Sequence, residues 1–445
     1  MSNPVVLVFL VVAATVLLYA VPSQALRTDH SVATLPMKWN YTFETGIQDT
    51  VVDPATGTIY FVLFPSSTQA FIAMAVESGT GATLWRTALG YSYAYSFQMT
   101  IVDAERILFM SEVSNYVCLN RTNGFPIVNT TIIPPNDAST SSYLNPIADG
   151  KIFIFNTSSF NNIIAVDIAT GGIVWQSPPV AASTAPIYVG GGLLVTTVVS
   201  AFTGSSNFTA LNTSTGEIVW IRPYFTSRAI IKTDQGLVVV QVSDTAFVRY
   251  DPATWTPVWN TTATSDVVVD FKLHGGVVYT TTTNAVHALN ATTGTLLWTH
   301  YPKDIFPPKT TNVFSRALTV AGGYVVAQGH GGSMLLMSAV NGSFAGRLPW
   351  ECIPGTPPQR ESRCNFPSNN FGALAPGSQH LFYTLERKNA VYGAFGEFLP
   401  RLYDLHSGML IAASDIAFSG NQVFPTPHGA LYVGYSGAFL LGAPQ

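Results

Sequence analysis

The sequence predicts an all-β fold, a single β-propeller of four-stranded blades, and three observations carry that expectation. The segments Ala165-Val-Asp-Ile-Ala-Thr-Gly-Gly-Ile-Val-Trp175, Ala210-Leu-Asn-Thr-Ser-Thr-Gly-Glu-Ile-Val-Trp220 and Ala288-Leu-Asn-Ala-Thr-Thr-Gly-Thr-Leu-Leu-Trp298 are near-copies of one unit. Weaker copies end at Trp85, Val128 and Trp259, and degenerate ones surround Asn341 and Asp404 to Gly408. Most recurrences fall about 39 to 47 residues apart, the period of propeller blades. Each unit is preceded by a short run that is apolar on both faces, as an inner strand sandwiched between neighbouring blades requires.

Taken from the N-terminus, the chain first runs apolar from Pro4 through Val21 and ends that stretch in Ser23-Gln24-Ala25. This is the pattern of a signal peptide cut after Ala25 (residues 1–25); the run is also about as long as a short membrane span, so an uncleaved anchor is the alternative reading. Residues 26–445 then form the propeller domain. In each unit a strand ends at Asp or Asn, whose side chain caps the following turn; Gly four residues later supplies a positive φ, and the next strand carries Trp. The upstream apolar runs are Ile59–Leu63, Ile107–Met110, Ile152–Phe155, Leu193–Val199, Leu237–Val242, Val277–Tyr279, Tyr324–Ala327, Leu381–Tyr383 and Leu431–Val433. The last unit, around Leu431 to Leu441, lacks the Gly-x-x-x-Trp strand, whereas Trp39 has no unit before it. Pairing the two closes the ring and leaves no open end. One Pro-rich stretch with two cysteines, residues 351–378, interrupts the rhythm and reads as an insertion, either a partner-recognition loop or a tolerated disordered one.

Composition narrows the functional classes. Charged residues make up 10% of the chain and the formal net charge is −4, with no basic stripe, so nucleic acid is excluded as an expected partner. A membrane partner is expected only if the N-terminal segment stays as an anchor. Sequons of the Asn-x-Ser/Thr form stand at Asn40, Asn120, Asn129, Asn156, Asn207, Asn212, Asn260, Asn290 and Asn341, which with the signal sequence imply a secreted or endomembrane-lumenal glycoprotein, extracellular, lysosomal or vacuolar. Of the cysteines, Cys352 and Cys364 are placed to bridge the Pro-rich stretch, worth about 3 kcal/mol on loop-closure reasoning, and Cys118 lies in an apolar strand pattern as a buried thiol.

The sequons fall into sets. Asn120, Asn212, Asn290 and Asn341 are read at the capping position of the turn between third and fourth strands, on one face of the disc. Asn40, Asn129 and Asn260 follow the Trp position on the outermost strand, around the circumference. Asn156 and Asn207 lie between second and third strands, on the opposite face, which carries fewer sequons and is the expected docking side.

Candidate ligand-binding residues lie at the channel mouth. Tyr91, Tyr93, Tyr95 and Phe97 alternate with small or polar residues, which puts four rings on one side of a strand; they are either blade-to-blade packing or an aromatic patch for a sugar or flat ligand. Arg228 and Arg316, in Ser227-Arg-Ala-Ile230 and Ser315-Arg-Ala-Leu318, fall at equivalent points where the innermost strand meets the channel. They suit bidentate capture of an anion or pairing with channel carboxylates such as Asp49 or Asp266. The histidines, among them His274, His287 and His300, do not cluster at metal-ligand spacings, so no metal site is expected, and no catalytic motif is present.

The Ala-x-Asp/Asn-x-x-Thr-Gly-x-x-x-Trp units resemble the pyrroloquinoline-quinone-type (quinoprotein alcohol dehydrogenase-like) β-propeller repeat family. The resemblance covers nearly all of residues 26–445. The literal count is nine units, but the family's usual eight implies that one is an insertion or a split blade, so the ring is expected to have eight blades, within a range of seven to nine. The family's dehydrogenases hold the quinone with calcium and a disulfide between adjacent cysteines. This chain has no adjacent cysteine pair and no Glu, Asn and Asp set that aligns with the calcium ligands, so no cofactor and no catalysis are expected. The expected function is a non-catalytic scaffold that binds a protein or ligand. A quinone- and calcium-dependent alcohol or sugar dehydrogenase and a carbohydrate-binding propeller are the alternatives.

Overall fold

The computed structural model describes residues 33–43, 46–64, 70–91, 97–111, 115–131, 146–156, 162–180, 188–199, 206–224, 230–234, 236–262, 266–301, 314–329, 334–348, 372–375, 378–387, 397–407, 409–414, 418–434 and 437–442. Among them every helix or strand is a β-strand. These build nine antiparallel four-stranded blades: blade 1 spans 46–91, blade 2 97–131, blade 3 147–176, blade 4 188–224, blade 5 230–262, blade 6 268–300, blade 7 314–348 and blade 8 372–413. Blade 9 combines Phe418–Thr426, Gly429–Gly434 and Gly437–Leu441 with the N-terminal strand Met37–Thr42.

The apolar runs read from the sequence are the second strands. Thr58–Phe64 is buried along its centre and Gly429–Gly434 throughout, because both faces of each sheet are covered by the adjacent blades. The core is accordingly a ring of inter-blade layers. Tyr60 and Phe71 of blade 1 pack with Phe97 and Phe109 of blade 2, Phe153 and Trp175 of blade 3 with Leu194 and Leu211 of blade 4, and Val239 and Phe247 of blade 5 with Phe271 and Val278 of blade 6.

Closure follows the expected scheme. Met37–Thr42 runs antiparallel to Gly437–Leu441, with Asn40 opposite Phe439 and Tyr41 opposite Ala438. A mixed layer of Trp39, Phe61, Val76, Leu431 and Leu440 then joins blade 9 to blade 1. The chain begins one step earlier than the sequence suggested, since Ala33–Thr34 adds a short parallel strand to Leu410–Ala413, the outer strand of blade 8.

The ring has nine blades, within the expected range of seven to nine, because every counted unit contributes a four-stranded blade; blades 8 and 9 are further joined where Glu397–Asp404 pairs with Phe418–Thr426. Within the expected insertion at about 351–378, Gly372–Leu374 is the first strand of blade 8, paired with Leu381–Arg387. The rest of the stretch, with Cys352 and Cys364, lies outside the described residues.

Candidate functional site

Each residue of the repeat signature has a mechanical role that fixes the faces of the disc. The signature Ala sits directly across from Trp, Ala165 opposite Trp175, Ala210 opposite Trp220 and Ala288 opposite Trp298. The Asp or Asn caps the turn: Asp167 Oδ1 accepts the N–H groups of Ala169 and Thr170 at 3.0 and 2.8 Å, and Asn290 Oδ1 those of Thr292 and Thr293 at 2.8 and 3.0 Å. The Trp then reaches forward to the next blade. Trp85 Nε1 donates to Arg121 O at 2.7 Å, Trp175 to Thr213 O at 3.0 Å and Trp298 to Ala339 O at 3.2 Å. Trp39 does the same across the closure, to Ser78 O at 2.8 Å.

Gly294 shows why the turn needs glycine. Its φ is +76°, and a Cβ there would lie 2.7 Å from Trp259 Cδ2. Blade 5 breaks the rule: Trp255 occupies the glycine position with φ +52°, a conformation bulky residues seldom adopt. It is fully buried and stacks on Tyr250 and Trp220, with centroids 5.0 and 6.2 Å away. Arg222 lies 4.7 Å over the Trp220 ring and donates to Trp255 O. An aromatic stack thus replaces the usual clasp between blades 4 and 5. The Asp251-Pro-Ala-Thr-Trp255 sequence carries the signal for it, a Trp where the copies have Gly.

The sequons take the expected faces with one change. Asn120, Asn212 and Asn290 cap third-to-fourth-strand turns through Oδ1, which leaves Nδ2, the atom that carries a glycan, uncommitted to the cap. Asn341 is on the same face but does not cap: Ser338 holds that position, accepting the Val340 N–H at its Oγ, and Asn341 stands three residues on, just before Gly342. Asn40, Asn129 and Asn260 lie exposed on outer strands. Asn156 and Asn207 fall at the ends of the second strand of blade 3 and the third strand of blade 4, at the loop face opposite the turns. Asn40, Asn120, Asn129, Asn207, Asn212, Asn260, Asn290 and Asn341 are all at least partly exposed.

The four-ring patch is not a single strand face. Tyr91 ends the outer strand of blade 1, whereas Phe97 begins the inner strand of blade 2, so the chain crosses from rim to centre between them. Phe97 is buried and packs edge-on against Phe71 at 4.5 Å, as inter-blade core. Tyr93 and Tyr95 lie outside the described residues.

On the innermost strands, Arg316 falls within Phe314–Ala321 where the register slips between Phe314 and Leu318; Arg228 lies outside the described residues, just before Ile230–Asp234. Asp49 follows a bulge in the first strand of blade 1 and accepts backbone N–H groups of Thr50 and of Met99 in blade 2, both at 2.8 Å. Burial pushes its carboxyl up to about 6 in spite of those donors. Asp270 repeats the arrangement after the bulge in blade 6, accepting from Phe271 at 2.8 Å, and burial raises it too. Lys232 and Lys272 stand two residues from the ends of adjacent inner strands; burial and then the charge of Lys272 lower Lys232.

One contact escaped the sequence reading. Arg121 forms a buried ion pair with Asp53 of blade 1, and also donates to Tyr60 Oη at 3.1 Å and Asp103 O at 2.6 Å. Cys118 is a buried free thiol, pushed up to about 11 by its burial. Among the described residues no three His, Cys, Asp or Glu side chains converge, and the chain has no adjacent cysteines. His287 is buried, with Nδ1 3.0 Å from Thr299 Oγ1, and burial holds its ring below the usual histidine range. No helix among the described residues is long and apolar enough to cross a membrane.

A closed propeller of repeated inter-blade clasps is the class these features define. The family model described as outer membrane protein assembly factor BamB matches residues 70–230 and 223–351, and the chain belongs to this family of PQQ-like repeat propellers. Solved structures agree at the level of fold. BamB from Moraxella catarrhalis is 12% identical, covering 79% of this chain and 97% of its own, with a TM-score of 0.46. A eukaryotic initiation factor is 8% identical, covering 92% of each chain, at 0.59, and the C-terminal WD40 domain of Sif2 is 8% identical, covering 94% and 100%, at 0.51. Among curated proteins, none matches the chain.

Proposed function

We propose that this chain is a secreted, N-glycosylated propeller scaffold that docks a protein partner on its loop face, without a cofactor and without catalysis, outside the cell or in a lysosomal or vacuolar lumen. The observation that supports this reading most is the placing of its sequons. Asn120, Asn212, Asn290 and Asn341 fall on the turn face and Asn40, Asn129 and Asn260 on the rim, which leaves the loop face with Asn156 and Asn207. Glycans are bulky and solvated, so the face with fewest is the one a partner can approach closely. Rigidity favours docking, because inter-blade clasps hold the strand ends in fixed relation and a preorganised surface loses little freedom on binding.

Arg316, on an inner strand, is the described member of the pair that would contact an anionic group of the partner at the channel mouth. Site-resolved mass spectrometry of the glycosylated protein tests the assignment of faces. Occupied sites should concentrate on the turns and rim; heavier occupancy at Asn156 and Asn207 than at the turn sequons would defeat it.

A further inference from the structure

We infer that glycans on Asn129 and Asn260 guard the open sheet edges of blades 2 and 5, and keep the rim from pairing with a second copy of the chain. The inference rests on the glycoprotein reading above. Except in blade 8, a fourth strand at the rim pairs on one side only among the described residues, and such an edge is a template for another strand unless it is blunted by charge, proline, brevity or cover.

The nine rim strands divide by which of these they have. Thr83–Tyr91, Ile218–Tyr224 and Phe344–Leu348, in blades 1, 4 and 7, each carry an arginine: Arg86, Arg222 and Arg347. Ile173–Gln176 and Leu296–His300, in blades 3 and 6, are charge-free but have only 4 and 5 residues. Leu410–Ala413 in blade 8 is covered by Ala33–Thr34, which shows that a rim edge of this propeller accepts an added strand. Two strands of 6 residues have neither charge nor cover, Pro126-Ile-Val-Asn-Thr-Thr131 in blade 2 and Pro257-Val-Trp-Asn-Thr-Thr262 in blade 5; each opens on a proline, which removes a donor at its first position only. Both carry a sequon at the same point. The remaining rim strand, Met37–Thr42 in blade 9, has Lys38 as well as Asn40.

The position suits the role. Ile127 and Val258 are the residues left unpaired at the bulge of each strand, and they stand two residues from Asn129 and Asn260, about 7 Å along the strand. Ile127 and Val258 are 45% and 49% exposed, and Asn129 and Asn260 are exposed beside them. A glycan there rises over an apolar, β-branched surface that would otherwise favour strand addition.

The test uses the full chain from a glycosylating host. Peptide mass spectrometry should find Asn129 and Asn260 occupied. The pair N129Q/N260Q, and separately T131A/T262A, which removes the same sequons while keeping both asparagines, should raise the average mass by light scattering to a dimer or larger as concentration rises. The turn-face pair T122A/T292A should stay monomeric. Monomeric rim variants, or bare Asn129 and Asn260 beside occupied turn sequons, would overturn the inference while leaving the glycoprotein reading intact; a chain bare at every sequon would overturn both.

Discussion

Asp49 shows how one side chain ties two blades together at a cost that depends on pH. Its carboxylate takes backbone donors from its own inner strand and from the next, yet burial raises it from 3.8 to about 6. The folded form therefore binds a proton that the unfolded chain has already released, and stability falls as pH rises through that window and levels off above about 6. A shift of about 2 pH units corresponds to about 3 kcal/mol. Urea melts of wild type and Asp49→Asn from pH 4 to 7 isolate this contribution, because other titrating groups cancel in the difference. Wild type should lose about 2 kcal/mol relative to the variant across that range, since the unfolded carboxyl is already partly ionised at pH 4; a constant difference would show that Asp49 titrates normally in the folded chain.

Blades are built from local chemistry, and that is why they were legible. Capping by Asp or Asn, a left-handed glycine and strand alternation all act within a few residues, so the turn at Asp167–Gly171 could be read directly. Asp167→Ala removes the acceptor of Ala169 N, Thr170 N and Thr170 Oγ1, and should cost about 1 kcal/mol. Asp167→Asn should cost little, since Asn does the same work at Asn212 and Asn290. Chemical denaturation that found both substitutions equally damaging would remove the capping account. Where the reading erred, a substitution within the motif was responsible. Ser338 took the cap that the sequence assigned to Asn341, because Ser338 is the residue four positions before Gly342 and its hydroxyl can accept as Asp or Asn does. The alternation from Tyr91 to Phe97 mimicked one strand but straddled the passage between two blades.

At the scale of the whole molecule, contacts between distant parts decide the outcome, and here the sequence said less. Arg121 and Asp53 are 68 positions apart and meet only because blades 1 and 2 pack at their particular angle. Nine repeats could be counted, but only the geometry of the ring distinguishes nine blades from eight and an insertion. The channel-mouth candidates were the least legible, and Arg228, Tyr93 and Tyr95 lie outside the described residues. Closure, by contrast, was visible as two complementary half-blades. Deleting residues through Thr42 strips the outer strand from blade 9 and the Trp39 clasp from blade 1, which exposes Leu440 and Phe439 on a new edge. The truncated chain should melt well below the intact one and bind a hydrophobic dye; an unchanged melting temperature would mean that the ring does not depend on this strand.

Hydroxyl-radical footprinting of the glycosylated protein, alone and with its captured partner, tests the docking assignment most directly. Tyr301, at the loop-face end of the blade 6 outer strand, is 53% exposed, whereas Phe125 and Val340, on the turn face, are 70% and 84% exposed. A partner seated on the loop face should protect Tyr301 from oxidation and leave Phe125 and Val340 as reactive as in the free chain. Protection of Phe125 and Val340 with Tyr301 unchanged would contradict the account and place the partner among the turns.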